Sequence, residues 1–296
     1  MQNDSPGGGS EQAKIWNGHA GRAWVDSQAV LDDLFRPFEN LLVEAVVADG
    51  GRSMLDIGCG TGSTTLAVAR RLGAHSHCVG ADISEPMIAL ARARAQQESS
   101  AAHFIVANAE SDPFEAGRFD SIISRFGVMF FDDSIGAFSN LRRAAREGAG
   151  LHFIAWRSAA ENPFMTTAER AAAPLLPNFP PRASSGPGQF AFADEQKVRG
   201  ILEATDWSDV DIRPVDVTCT MPESELQHYF TRLGPVGHLL QETDEPARTR
   251  VIAAVRAAFE PYVHGPEVRF TAACWNVSAL AQRGAASASP ARNNRR

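Results

Sequence analysis

The first chemical signal in this 296-residue sequence is a glycine-rich turn with a carboxylate on either side. Gly58, Gly60 and Gly62 follow Leu55-Asp56-Ile57, and Asp82 stands twenty residues beyond Gly62. The glycines sit where the apolar run Ser53 to Ile57 hands over to the amphipathic run Thr64 to Leu72, the strand-to-helix turn at which a Rossmann-like sheet holds a nucleotide. Ser63 occupies the place of the third glycine in the dinucleotide pattern G-x-G-x-x-G, which disfavours a pyrophosphate cofactor. Asp56 points the same way, because a carboxylate beside the loop repels pyrophosphate and favours a cation. Its plainer role is to accept backbone N–H groups at the turn. Asp82 closes the second strand, where an acid can accept hydrogen bonds from both hydroxyls of a ribose. Its plainer role is helix capping, but Ser84 is better placed as the N-cap and leaves Asp82 free for a ligand.

These groups need a scaffold, and the apolar pattern supplies one. Strands are expected at Ser53 to Ile57, His77 to Ala81, His103 to Ala107, Phe119 to Ser124 and Leu151 to Trp156, with helices at Thr64 to Leu72, Glu85 to Gln97 and Ile135 to Arg146. Alternation of this kind implies an α/β, Rossmann-like fold: a mainly parallel sheet with helices on both faces. Ser158 to Gln189, rich in proline, and the helical-looking Pro222 to Gly265 interrupt the rhythm and read as a cap over the ligand edge; the alternative for the first is a plain surface loop. Residues 1–14 and 284–296 are rich in small and polar residues and are expected to be disordered, leaving 15–283 as one domain.

Composition narrows the classes of partner. A net charge of -7 gives no reason to expect nucleic acid. No apolar run is long enough to span a membrane, and the first residues lack a secretory pattern, so a cytoplasmic protein is expected. The four cysteines form no C-x-x-C pair, and Asp132-Asp133-Ser134 reads as an N-cap, so no metal site is expected.

Leu55-Asp56-Ile57-Gly58-Cys59-Gly60-Thr61-Gly62, Gly80-Ala81-Asp82-Ile83-Ser84 and Phe119-Asp120-Ser121-Ile122-Ile123-Ser124 together resemble the first motif, the ribose-binding acid and the fourth strand of class I S-adenosylmethionine-dependent methyltransferases. The likeness covers roughly residues 15 to 157 and is greatest to the type found in ubiquinone and menaquinone biosynthesis. It implies S-adenosyl-L-methionine as cofactor. By the same likeness, Asp82 would hold the ribose, while Ile83, Asn108 and Ala109 would hold the adenine. Asp56, Gly58, Gly60, Gly62 and the main chain around Ser124 would hold the methionine portion. Asn108 departs from the family's usual Asp but still offers a hydrogen bond to the exocyclic amine. Residues 15–45 would form a lid over a core of 46–157, with Trp24 and Gln28 presented to the cofactor from one helical face; otherwise Trp16 and Trp24 are the apolar face of an amphipathic helix. Arg146-Glu147-Gly148-Ala149-Gly150 replaces the family's Arg-Pro-Gly-Gly and serves as a helix stop.

Methyl transfer needs positioning more than it needs a base. His19 and His228 are the candidate bases, with His152 and His238 weaker ones. Arg125 follows the fourth strand and is a candidate catalytic or acceptor-binding residue; its structural alternative is pairing with Asp120 or Asp132. Phe164 and Tyr229 are candidate acceptor contacts, or members of a local core. Arg125-Phe126-Gly127 lacks the Asn/Asp-Pro-Pro-Tyr/Phe of enzymes that methylate amide or adenine nitrogens. The expected function is thus methyl transfer to a small-molecule acceptor by a monomer or homodimer. Alternatives are cyclisation or decarboxylation of the same cofactor, a nicotinamide-dependent oxidoreductase, which Asp56 and Ser63 oppose, and a binding module without turnover.

Overall fold

A computed structural model describes residues 11–176, 179–180, 182 and 186–282. Its sheet is built from β1 (Ser53–Ile57), β2 (His77–Asp82), β3 (His103–Val106), β4 (Phe119–Arg125), β5 (Ala145–Trp156), β6 (Ser208–Pro222), β7 (Val263–His264) and β8 (Glu267–Leu280). The order is β3-β2-β1-β4-β5-β8-β6, with β7 paired to β8. β1 to β5 run parallel, and β8 is antiparallel to β5 and β6. All five residues of β1 are buried, as a parallel strand covered on both faces requires. The chain leaves β1 for β2 on one side and returns to β4 on the other, so the carboxyl ends of β1 and β4 border the crevice of a doubly wound sheet.

The helices are α1 (Glu11–Asn17), α2 (His19–Asp26), α3 (Gln28–Asp49), α4 (Ser63–Leu72), α5 (Glu85–Gln97), α6 (Ser134–Ala144), α7 (Pro163–Ala172), α8 (Glu195–Ala204), α9 (Leu226–Arg232), α10 (Gly234–Glu242) and α11 (Glu245–Ala258). Asp133 caps α6 as its sequence suggests, accepting the Gly136 N–H at 2.9 Å. Ser84 stands at the N-cap of α5 but makes no capping bond; its hydroxyl donates instead to the Trp16 carbonyl at 2.7 Å. The cap is done from outside, by Asn17 Oδ1 accepting the Glu85 N–H at 2.8 Å.

Four boundaries differ from expectation. Glu11 to Lys14, assigned to the N-terminal tail on composition, are already helix α1; residues 1–10 and the tail 284–296 lie outside the described residues. The lid does not reach residue 45 as a separate element, because α3 buries Leu31, Leu34, Phe35, Phe38 and Leu42 in the main core, with Leu31 and Phe35 also lining the cavity that α1 and α2 cover. The sixth helix stops at Ala144, and Arg146 to Gly150 are strand, paired to β4 across a register shift between Phe119 and Ser121. The proline-rich cap segment carries α7 rather than being a plain loop, though its residues 177, 178, 181 and 183–185 lie outside the described residues. Pro222 to Gly265 is helical through α9, α10 and α11. Among the described residues no helix is long and apolar enough to cross a membrane.

Candidate functional site

The glycine loop folds as a cradle because each glycine has a different reason to be one. Gly58, Gly60 and Gly62 all have positive φ (65°, 55° and 86°), where a side chain is strained. A Cβ on Gly58 would lie 2.7 Å from Gly127 Cα, so this glycine lets the β1 and β4 loops touch. One on Gly62 would meet the Phe104 ring at 2.7 Å, which gives Gly62 a packing reason to be glycine, and it lines neither the recess nor the cavity. One on Gly60 would meet only Met87 Sδ, at 3.8 Å, and would otherwise project into open cavity.

Asp82 fixes the cradle. Its Oδ2 accepts the Gly60 N–H at 2.8 Å and its Oδ1 the Ser84 N–H at 2.9 Å. The acid therefore has a structural duty that its sequence context did not suggest. It still lines the cavity, and burial raises its pKa against the pull of the backbone donors. Asp56 is 1 % exposed; Thr65 donates to Oδ2 at 2.7 Å, while Oδ1 is buried with no partner. Burial pushes its pKa up to about 7. It accepts a threonine hydroxyl rather than turn N–H groups, and it borders a small recess shared with Gly58, Gly60, Thr61, Trp24 and Arg125. Ser124 is also structural: its hydroxyl donates to the Ile57 carbonyl at 2.7 Å and accepts the Gly127 N–H at 3.1 Å, tying the two loops together.

Next to the recess opens a cavity of about 1080 Å³. Its floor is the crevice edge, with Gly58, Gly60, Asp82, Ile83, Asn108, Ala109, Arg125 and Phe126. Trp16, His19 and Trp24 of α1 and α2 cover one side, and Phe164, Tyr229 and Val236 of the cap cover another. Phe126, which the sequence did not single out, has φ 67° and stacks 4.7 Å from Trp156, a strained placement for an aromatic residue beside a site. Gly188, within the cap segment expected from the sequence, and Phe190 just beyond it also line the cavity.

Several expected contacts are not made. Gln28 begins a new helix and turns to Asp32 at 2.5 Å, so Trp24 and Gln28 do not share a face and only Trp24 reaches the cavity. His228 binds the Ser27 hydroxyl at 3.3 Å and does not line the cavity. His152 is paired with Asp49 at 3.0 Å. His19 does line the cavity, beside Gln241 at 3.1 Å, and burial together with His238 lowers its pKa and favours the neutral ring. Neither structural partner expected for Arg125 is used: Asp120 is taken by Arg146, and the neighbour of Arg125 is Glu39, at 4.0 Å. Phe164 is a cap-core residue that also borders the cavity, stacked 3.8 Å from Phe270. Tyr229 borders it too, its hydroxyl 3.6 Å from Met165 Sδ. Among the described residues no cluster of acids, histidines and cysteines could hold a metal.

Residues 54–148 match the family model of a methyltransferase domain. An uncharacterized protein of Mycobacterium tuberculosis is 30% identical over 131 residues, 44% of this chain and 47% of its own length. Nocamycin O-methyltransferase of Saccharothrix syringae is 32% identical over 102 residues, 34% of this chain and 36% of its own. The chain thus spans about half or less of the length of these relatives. The fold is shared with the YcgJ protein of Bacillus subtilis at a TM-score of 0.53 and 16% identity, over 83% of this chain and 98% of that one. The matched segment contains the whole cradle and the motifs that resemble those of class I S-adenosylmethionine-dependent methyltransferases.

The residues fit that cofactor. Asp56 Oδ1 is a buried acceptor without a partner at the recess, the chemistry an ammonium would satisfy, and Gly60 leaves open the volume a Cβ would fill. Asp82 at the end of β2 and Asn108 beyond β3 line the same cavity.

Proposed function

We propose that this protein transfers a methyl group from S-adenosylmethionine to a small-molecule acceptor enclosed by the lid and the cap. Bound in the cradle, the cofactor supplies a methyl on a sulfonium, which an acceptor nucleophile takes by in-line displacement as the carbon–sulfur bond breaks. Asp82 and the loop it shapes would hold the ribose, Ile83, Asn108 and Ala109 the adenine, and Asp56 the ammonium. Trp24, which borders both recess and cavity, offers an aromatic face to positive charge.

The observation that carries the reading is continuity: the cradle and the aromatic cap face one cavity of about 1080 Å³. That is just above the range of roughly 300–1,000 Å³ for a single ligand site, enough for a donor and a sizeable acceptor together. Walls on the lid and cap sides would hold both partners together, which is most of what such a displacement needs. His19 and His238 both line this space, and the favoured neutral form of His19 suits proton acceptance from a hydroxyl. A cytoplasmic monomer or homodimer without nucleic-acid partners accords with the charge and with four buried free cysteines. The test is conversion of S-adenosylmethionine to S-adenosylhomocysteine by the purified protein with and without a pool of small-molecule acceptors. Acceptor-dependent conversion supports transfer, and equal conversion without acceptor supports lyase or cyclase chemistry instead.

A further inference from the structure

The charged groups lining the cavity are unequally satisfied. Asp82 accepts from Gly60 and Ser84, Glu110 from the N–H groups of Asp132 and Asp133, Asp194 from Gln196, and Glu169 from Arg182. Lys197 donates to the Ala191 carbonyl, Lys14 pairs with Glu11, and Arg232 is exposed to water. Arg125 stands apart. Its side chain is 11 % exposed, it makes no hydrogen bond among the described residues, and its Nη1 is buried without a partner. Glu39 faces it from 4.0 Å, beyond hydrogen-bond reach, and accepts the Ser63 hydroxyl instead.

A guanidinium withdrawn from water and left without acceptors is costly, and its planar fork matches a carboxylate better than any other common group. Arg125 borders both the recess beside Asp56 and the main cavity, so it stands where donor and acceptor pockets meet. Beyond it the lining turns aromatic, through Phe126, Phe130, Phe164 and Tyr229. We infer that Arg125 sets acceptor specificity by holding a carboxylate on an otherwise flat, apolar acceptor whose rings occupy the aromatic part of the cavity. The inference rests on the methyl-transfer reading and adds the acceptor's class. Glu39 is the positioning residue that keeps the guanidinium at the junction.

The cofactor's own carboxylate offers the same chemistry, so the experiment reads both ligands. Protein saturated with S-adenosylhomocysteine is titrated with 2-naphthoate and anthracene-2-carboxylate, and with the corresponding amides. The acids should bind the wild type about tenfold or more tighter than the amides, the range for a charge-assisted hydrogen bond. In Arg125→Gln that preference should shrink to about threefold or less, while S-adenosylhomocysteine affinity stays within about threefold, as for independent pockets. Because Arg125→Gln leaves the Glu39 carboxylate buried beside a neutral partner, the double variant Glu39→Gln, Arg125→Gln is measured alongside, and melting curves establish that each is folded. Four results would overturn the inference: acids and amides binding alike, no acid binding, acid preference surviving in both variants, or S-adenosylhomocysteine affinity falling together with acid affinity. Failure of S-adenosylhomocysteine to bind the wild type would instead remove the donor reading, and this inference with it.

Discussion

Asp82 accepts the Gly60 N–H at 2.8 Å, so the carboxylate that ends β2 sets the shape of the loop that ends β1. Ligand binding and local stability are therefore coupled through one side chain. Asp82→Ala leaves two backbone donors, Gly60 and Ser84, without acceptors, each worth about 1–3 kcal/mol where buried. The variant should melt at a lower temperature and bind S-adenosylhomocysteine at least about tenfold more weakly by calorimetry. Weak binding with an unchanged melting point would separate the two roles and contradict the coupling.

Gly58 and Gly60 should respond in opposite ways to the same substitution. Gly60→Val bears the cost of its positive φ, about 1–2 kcal/mol, but meets only Met87, so the protein should fold and fail to bind S-adenosylhomocysteine. Gly58→Val drives a side chain into the Gly127 backbone and should lower stability far more. Normal ligand binding by a folded Gly60→Val protein would mean that the loop is only a turn.

The raised pKa of Asp56 makes a prediction with a defined sign. With the folded value near 7 and the ordinary value at 3.8, the folded state holds its proton more tightly than the unfolded chain. The stability this group contributes is fully present below about pH 4 and is lost as pH rises toward 7. Relative to wild type, Asp56→Asn should therefore gain stability across that window and show no further change above it. S-Adenosylhomocysteine, whose ammonium favours the ionised acid, should bind the wild type more tightly as pH passes through 7, and Asp56→Asn should lack that dependence. Parallel pH–stability curves for the two proteins would count against an unpaired Asp56.

Asn17 joins the lid to the core, donating to the Ile83 carbonyl at 2.9 Å and accepting the Glu85 N–H at 2.8 Å. Asn17→Ala should speed amide exchange in residues 11–26 without ligand, and S-adenosylhomocysteine should slow exchange there in the wild type. Equal exchange with and without ligand would show that α1 and α2 do not respond to the cofactor.

Much of the frame was legible because its signals are local. Apolar runs ending at glycines locate β1 to β5, and the acid two residues before Gly58 and the one ending β2 mark the cradle. Side-chain direction was not legible. Gln28 looks like a partner of Trp24 until Ser27 breaks the helix between them, and Gly62 looks like its neighbours until Phe104 packs beneath it. Ser84 has the type and place of an N-cap, yet the arrival of Trp16 from a distant segment redirects its hydroxyl. Glu39 did leave a trace: it falls among Phe35, Phe38 and Leu42 on the buried face of α3, where an acid needs a reason. Its partners, the Ser63 hydroxyl that it accepts and the Arg125 guanidinium at 4.0 Å, lie across the fold and are visible only in three dimensions.

The most direct measurement is the fate of a labelled methyl group. Purified protein is incubated with methyl-labelled S-adenosylmethionine and small-molecule extract, including apolar acids, and label and S-adenosylhomocysteine are quantified together. The account predicts label in extractable small molecules in equal amount to the S-adenosylhomocysteine formed, both lost in Gly60→Val. Cofactor consumed with no label transferred, or no cofactor bound at all, would contradict it.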